Sequence, residues 1–241
     1  MRTIARISLL LSLGALVLSG CDSAPGVPGK GAETPAPDQI LDFDTLYSEN
    51  CAGCHGKEGR GGAAIALGDP VYLAVVKEDT MRRVVTSGIK GTSMAAFGQS
   101  AGGMLTDKQI DVIVAQIHTR WGRPGIPGVN PPSYAASVPG DAARGAIAYN
   151  TFCESCHGPG GRGGPKGSSI TDGSFLALLT DQELRTMVIV GRPDRGAPDW
   201  RNNVPGRAMT DQEITDVVAW LASQRVPAPG QPYPATSKAK P

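Results

Sequence analysis

Two short runs carry the chemistry of this chain. Cys51-Ala52-Gly53-Cys54-His55 and Cys153-Glu154-Ser155-Cys156-His157 share one form: two thiols three positions apart, with an imidazole directly after the second. A bare C-x-x-C suits a redox pair or half a zinc site, and an exported chain with four cysteines can pair them as disulfides. The following His changes the reading, because C-x-x-C-H is the attachment signature of c-type haem. The two thiols add to the two vinyl groups of haem as thioethers, and a short helical turn brings the imidazole beneath the iron. Cys51, Cys54, Cys153 and Cys156 are therefore the expected attachment points of two covalently bound haem c groups, and His55 and His157 the proximal iron ligands. A zinc site would need further ligands, and outside the motifs only His118 and Cys21 remain.

The elements that must position these motifs also occur twice. Tyr47 and Tyr149 each stand four residues before the first Cys of a motif. Gly56-Lys57-Glu58-Gly59-Arg60-Gly61-Gly62 matches Gly158-Pro159-Gly160-Gly161-Arg162-Gly163-Gly164. Further on, Tyr72-Leu73-Ala74 matches Phe175-Leu176-Ala177, Gly88 matches Gly191, and Thr106-Asp107-Lys108-Gln109-Ile110 matches Thr210-Asp211-Gln212-Glu213-Ile214. This duplicated pattern resembles the class I cytochrome c family, in its tandem dihaem form, over residues 42–121 and 141–226. Between them, 122–140 is a Pro/Gly-rich linker without helical period.

The helix signals agree with that resemblance. Asp44 and Asp141 are expected to N-cap the first helix of each repeat, which runs into the motif. Leu73–Ser87 and Phe175–Val190 carry apolar residues at helical spacing and end at Gly88 and Gly191. Thr106 and Thr210 begin the last helices, with Gln109 and Glu213 completing capping boxes. Ile110, Ile113, Val114 and Ile117 form one apolar stripe, and Ile214, Val217, Val218 and Leu221 another. No stretch alternates with period two. The predicted fold is all-α: two small tandem domains, each wrapped around one haem. A central haem explains how aromatics at only 5% suffice for two cores.

The sixth iron ligand separates the repeats. In class I cytochromes c a Met in the loop before the last helix supplies it, and in Gly88-Ile89-Lys90-Gly91-Thr92-Ser93-Met94-Ala95-Ala96-Phe97-Gly98 that residue is Met94. The second loop reads Gly191-Arg192-Pro193-Asp194-Arg195-Gly196-Ala197-Pro198-Asp199-Trp200, which sets Ala197 opposite Met94 and Trp200 opposite Phe97. Ala has no donor atom. Haem 2 then has an open position, a water or a substitute ligand, and Met209 is the nearest substitute, although it aligns with the packing residue Leu105. Met187 fits a core position, His118 a surface one, and Lys166 must lose a proton to bind iron. Arg60 and Arg162 hold equivalent places that suit haem propionates or a solvated loop. Arg192, Arg195, Arg201 and Arg207 gather around the second loop, as a docking patch for an acidic partner or as counter-charge to the propionates.

Composition and the chain ends frame the function. The 241 residues carry 23 Lys and Arg against 22 Asp and Glu, a formal charge of +1 that excludes the basic stripe of a nucleic-acid binder. Glycine at 32 and proline at 20 make much of the chain turn and linker. Residues 1–20 read as a secretory signal: Arg2 and Arg6 precede an apolar run over 7–18 that is too short for a hydrocarbon core about 30 Å thick. Leu18-Ser19-Gly20-Cys21 resembles a bacterial lipobox, so Cys21 is the expected acylation site, and 21–41 a tether reaching on the order of 20–25 Å. Residues 227–241 read as a disordered tail.

These readings predict an exported, lipid-anchored protein at the periplasmic or outer face of a membrane, with the bilayer engaged through Cys21. It exchanges single electrons with membrane-bound redox proteins of a respiratory or photosynthetic chain (a quinol-oxidising complex, a terminal oxidase or a reaction centre), or is itself a subunit of a quinol-oxidising or terminal-oxidase complex. The alternative is a haem enzyme or gas- or peroxide-reactive sensor that uses an open position on haem 2. Peroxide turnover needs a distal acid–base group, and the second loop holds Asp194 and Asp199 but no His or Glu.

Overall fold

A computed structural model of the chain describes residues 34–123, 130–227 and 229. The signal at 1–20, Cys21, most of the tether, and the tail beyond 227 except 229 lie outside the described residues, as do 124–129 of the linker. Residues 34–39 belong to a separate unit, in which Pro37–Gln39 forms a 3-10 turn. Both repeats lie in the unit that starts at Ile40. Among the described residues the regular elements are helices, with three isolated β-bridges in the loops. No helix among them is long and apolar enough to cross a membrane.

In the first repeat, α1 (Phe43–Asn50) leads into α2 (Ala52–His55), followed by α3 (Pro70–Val75), α4 (Glu78–Ser87) and α5 (Asp107–Trp121). In the second, α6 (Ala142–Phe152) leads into α7 (Glu154–His157), followed by α8 (Gly173–Ala177), α9 (Asp181–Val190) and α10 (Asp211–Ser223). First and last helices pack together in each repeat, α1 with α5 and α6 with α10. The second crossing is close enough to require glycine: a Cβ on Gly145 would stand 2.0 Å from the Asp216 carbonyl oxygen. Nearby, Arg144 binds the Asp216 carboxylate through Nε at 2.8 Å, and Asp216 also accepts the Asp141 amide at 2.7 Å.

The apolar stripes do what their spacing implies. Ile110, Ile113, Val114 and Ile117 are buried, as are Ile214, Val217, Val218 and Leu221. Each such side chain contributes roughly 1.5–3 kcal/mol on leaving water. Both capping boxes form, with Gln109 and Glu213 returning bonds to the backbone of Thr106 and Thr210.

Three local expectations are corrected. The N-cap of α1 is Asp42, whose carboxylate accepts the Thr45 amide at 2.8 Å, whereas Asp44 sits in the first turn and pairs with Arg120 at 2.6 Å. Only Asp42 places its carboxylate over the free amide at the third helical position. The segments 73–87 and 175–190 are each broken rather than single helices. Lys77 turns extended (ψ 157°) between α3 and α4. Thr180 opens α9 with its own capping box to Glu183. His118 is half-buried rather than a surface residue, and its Nε2 is buried without a hydrogen-bond partner.

Candidate haem sites

Each C-x-x-C-H motif begins where a first helix ends. The Cys51 amide donates to the Tyr47 carbonyl at 2.9 Å, and the His55 amide to the Cys51 carbonyl at 3.0 Å. In repeat 2 the Cys153 amide donates to the Tyr149 carbonyl at 2.8 Å and the His157 amide to the Cys153 carbonyl at 2.9 Å. One helical turn therefore holds both thiols and the imidazole on each side. The paired tyrosines close the turn from outside: Tyr47 Oη donates to the Gly56 carbonyl at 2.9 Å and Tyr149 Oη to the Gly158 carbonyl at 2.5 Å.

No disulfide joins the four motif cysteines. Burial, aided by the neighbouring Cys of each motif, pushes the Cys51 and Cys153 thiols up to about 12.

The imidazoles carry the test of whether haem fits. His55 Nδ1 lies 2.8 Å from the Ile65 carbonyl oxygen, and His157 Nδ1 lies 2.8 Å from the Ser168 carbonyl oxygen. A carbonyl only accepts, so Nδ1 carries the proton and donates it, and the lone pair is left on Nε2. That is the tautomer an iron ligand requires, with the ring orientation fixed from behind. Burial pushes His55 below its ordinary pKa, and the Arg192 guanidinium adds to the effect, although the Ile65 bond opposes it. The ring is thus held neutral. The donor set fits haem c at both motifs: thiols one turn apart and an Nε2 free beside them.

The loops opposite are related in backbone detail. The Ile89 amide donates to the Met94 carbonyl at 2.9 Å, and the Arg192 amide to the Ala197 carbonyl at 3.0 Å, so Ala197 does occupy the station of Met94. Both loops fold back onto a helix-ending glycine with positive φ. A Cβ on Gly88 (φ +65°) would stand 2.6 Å from the Met94 carbonyl oxygen, and one on Gly191 (φ +65°) 2.1 Å from that of Pro198. Met94 is half-buried against the core of repeat 1. Met209 is 3% exposed; its amide donates to the Trp200 carbonyl at 2.9 Å, as that of Leu105 does to Phe97 at 2.7 Å. Its Sδ lies 3.9 Å from Asn203 Nδ2. Met187 is half-buried and Lys166 exposed.

Of the candidate arginines, Arg162 is exposed, whereas Arg60 and the four of the second loop have partners inside the chain. Arg60 donates to the Gly68 carbonyl at 2.5 Å. Arg201 pairs with Asp199 at 2.6 Å and lies over the Trp200 ring, and Arg207 pairs with Glu213 at 2.5 Å and lies over Phe152. Arg192 and Arg195 donate to carbonyls of the loop after His55. Arg192 holds Asp194 at about 2, well below the ordinary carboxylate range, so that carboxylate stays charged. The linker is gripped as well. Buried Arg185 donates to the carbonyls of Ser133 and Tyr134, and Gln182 to that of Tyr134 at 2.7 Å. Sequence reasoning did not find Ile65, Ser168 or Arg185. The first two act through backbone carbonyls, which leave no mark on residue type.

Two family models match the chain, one over each repeat. A family model described as cytochrome C oxidase, cbb3-type, subunit III matches residues 38–117, and one described as cytochrome c matches 142–225. The Cbb3-type cytochrome c oxidase subunit CcoP of Azospirillum sp. (strain B510) is 30% identical over 130 residues, covering 49% of this chain and 39% of that protein. The subunit FixP of Bradyrhizobium diazoefficiens is 27% identical over 158 residues, covering 61% of this chain and 50% of that protein. The chain thus spans half or less of the length of these curated relatives. Among solved structures, a chain of the Kuenenia stuttgartiensis reducing HAO-like protein complex aligns over 80% of this chain with a TM-score of 0.47 and 17% identity.

Proposed function

Since the chain carries two cytochrome c domains of class I in tandem, matched to two covalent haem c groups, we propose that it is a one-electron carrier serving a membrane-bound terminal oxidase. Cys51, Cys54, Cys153 and Cys156 hold the haems, His55 and His157 are the proximal ligands, and Met94 is the sixth ligand of haem 1. The observation that carries this is the pair of Nδ1 bonds to Ile65 and Ser168, which leave both Nε2 atoms for iron. Haem held by His and Met stores one electron at a raised potential and has no vacant position. The protein's part is to orient the imidazoles, keep His55 neutral and pack Met94 against the core.

The oxidase partner is supported by the names of the relatives, CcoP and FixP, which are subunits of cbb3-type oxidases. Acylation of Cys21 would hold the carrier at the membrane, raising its effective concentration toward such a complex. Replacement of Cys21 by Ala should then release the protein from the membrane fraction, and retention of that variant would remove the lipid anchor from this reading.

Ala197 favours a second reading for haem 2 alone. With no donor at the station of Met94, its sixth ligand is either Met209, drawn from its packed place, or an exogenous small molecule. The test is the optical spectrum of the reduced holoprotein with and without CO. An open haem 2 gives a shift in about half of the haem absorbance that Ala197→Met abolishes. No shift means both irons are six-coordinate, and Met209→Ala should then create CO binding. Absence of a c-type haem spectrum would overturn the proposal entirely.

A further inference from the structure

Hydrogen bonds between the two repeats gather on one small patch. The Asp194 carboxylate accepts the Gly61 amide at 2.9 Å. Arg192 donates to the Gly62 carbonyl at 2.8 Å and the Ala63 carbonyl at 3.2 Å. Arg195 adds bonds to the carbonyls of Gly61 at 3.1 Å and Gly62 at 2.9 Å. Arg192 and Asp194 also grip each other at 3.0 and 2.9 Å, with side chains only 13% and 9% exposed.

The two loops so joined are the ones that matter to the haems. Gly61–Ala63 lies between His55 and Ile65, the residue whose carbonyl orients the His55 ring. Arg192–Ala197 is the loop at the sixth-ligand station of repeat 2, closed on itself by two backbone bonds of 3.0 Å between those residues. Behind the patch, α3 of repeat 1 packs on α9 of repeat 2. An exposed ion pair would fix little. Here the Arg192 guanidinium is spent on backbone carbonyls and largely shielded, so its bonds are charge-assisted and aimed at a rigid target, and exposed Arg195 adds bonds to the same loop. A docking patch for an outside partner would need those donors free.

We propose that the Arg192–Asp194–Arg195 clasp is a positioning device for electron transfer within the chain. It locks the loop that orients the proximal ligand of haem 1 against the loop that covers the distal side of haem 2. The separation and mutual angle of the two haems are thereby held constant. One electron crosses between the two centres, and no bond is made or broken in the clasp. This inference rests on the reading of both motifs as haem sites.

The test uses the full holoprotein with Arg192→Gln, Asp194→Asn and Arg192→Lys. Three quantities are read: haem content per chain, the Soret circular-dichroism couplet that reports the mutual orientation of two porphyrins, and the rate of inter-haem equilibration after flash photoreduction. Arg192→Gln and Asp194→Asn should keep two haems, lose most of the couplet and slow equilibration by roughly 10–100-fold, as displacements of order 1 Å do to positioned groups. Arg192→Lys should fall between, because an ammonium cannot fork to two carbonyls. If Arg192→Gln does not fold, Asp194→Asn, which keeps the size and shape of the side chain, supplies the answer. Two haems with the parental couplet and rate in these variants would overturn the clasp. A parent lacking c-type haem would instead overturn the reading beneath it.

Discussion

Arg185→Met tests the grip on the linker. Arg185 is 3% exposed and spreads its guanidinium over four acceptors: the Ser133 carbonyl, the Tyr134 carbonyl, Thr215 Oγ1 and the Asp211 carboxylate. Met keeps the volume of the stem and removes the donors. Two acceptors retain other bonds, because Tyr134 still receives Gln182 at 2.7 Å and Thr215 Oγ1 still donates to the Asp211 carbonyl at 2.8 Å. Ser133 is exposed, so water replaces the donors that Arg185 gives its carbonyl, and the loss there is the net worth of a hydrogen bond, about 0.5–1.5 kcal/mol. The Asp211 side chain is 38% exposed, so water screens its lost pairing and about 1 kcal/mol is appropriate there. The expected loss is about 2 kcal/mol, or roughly 4–8 °C in Tm for a unit of this size. Thermal and urea unfolding of the haem-loaded protein measures it, and limited proteolysis should show faster cutting near Ser133. A loss below about 0.5 kcal/mol, the range of ordinary surface changes, with an unchanged proteolytic pattern, would refute the clamp.

Three further outcomes are expected. Asp216, with its side chain 4% exposed, is held below its ordinary pKa first by the hydrogen bond from Arg144, so its stabilisation is present above pH 3.8 and is lost as pH falls toward the lower folded value; Asp216→Asn should flatten the acid limb of the unfolding curve. His118 is lowered by burial, with Glu78 opposing, so the unfolded chain takes the proton first and stability falls as pH drops through about 6.5; His118→Leu should remove that slope, and an unchanged slope would show that another group causes it. Thr106→Ala should cost about 1 kcal/mol by removing the cap of α5, and equal stability in chemical denaturation would show that the box contributes nothing.

The attachment motifs, the two-fold repeat and the last-helix caps were legible because each is local. Two thiols and an imidazole on one turn, or Thr and Glu three apart, meet through backbone geometry that the spacing itself imposes. The cap of α9 was equally legible in Thr180-Asp181-Gln182-Glu183, but the apolar period running across Leu179 hid it. Asp42 and Asp44 are equivalent by type, and only the position of the Thr45 amide separates them.

The sequence by itself supplied two C-x-x-C-H motifs for two haem c groups and set Ala197 opposite Met94. Tertiary structure decided what surrounds them. The carbonyls that orient His55 and His157 stand ten and eleven residues away, and any residue type could supply them. The four arginines of the second loop, alike as charges, divide among a clasp on repeat 1, a pair with Asp199 and a pair with Glu213. Spacing along the chain fixes contacts within a turn, whereas contacts between loops depend on how the chain closes and which acceptor each donor meets first.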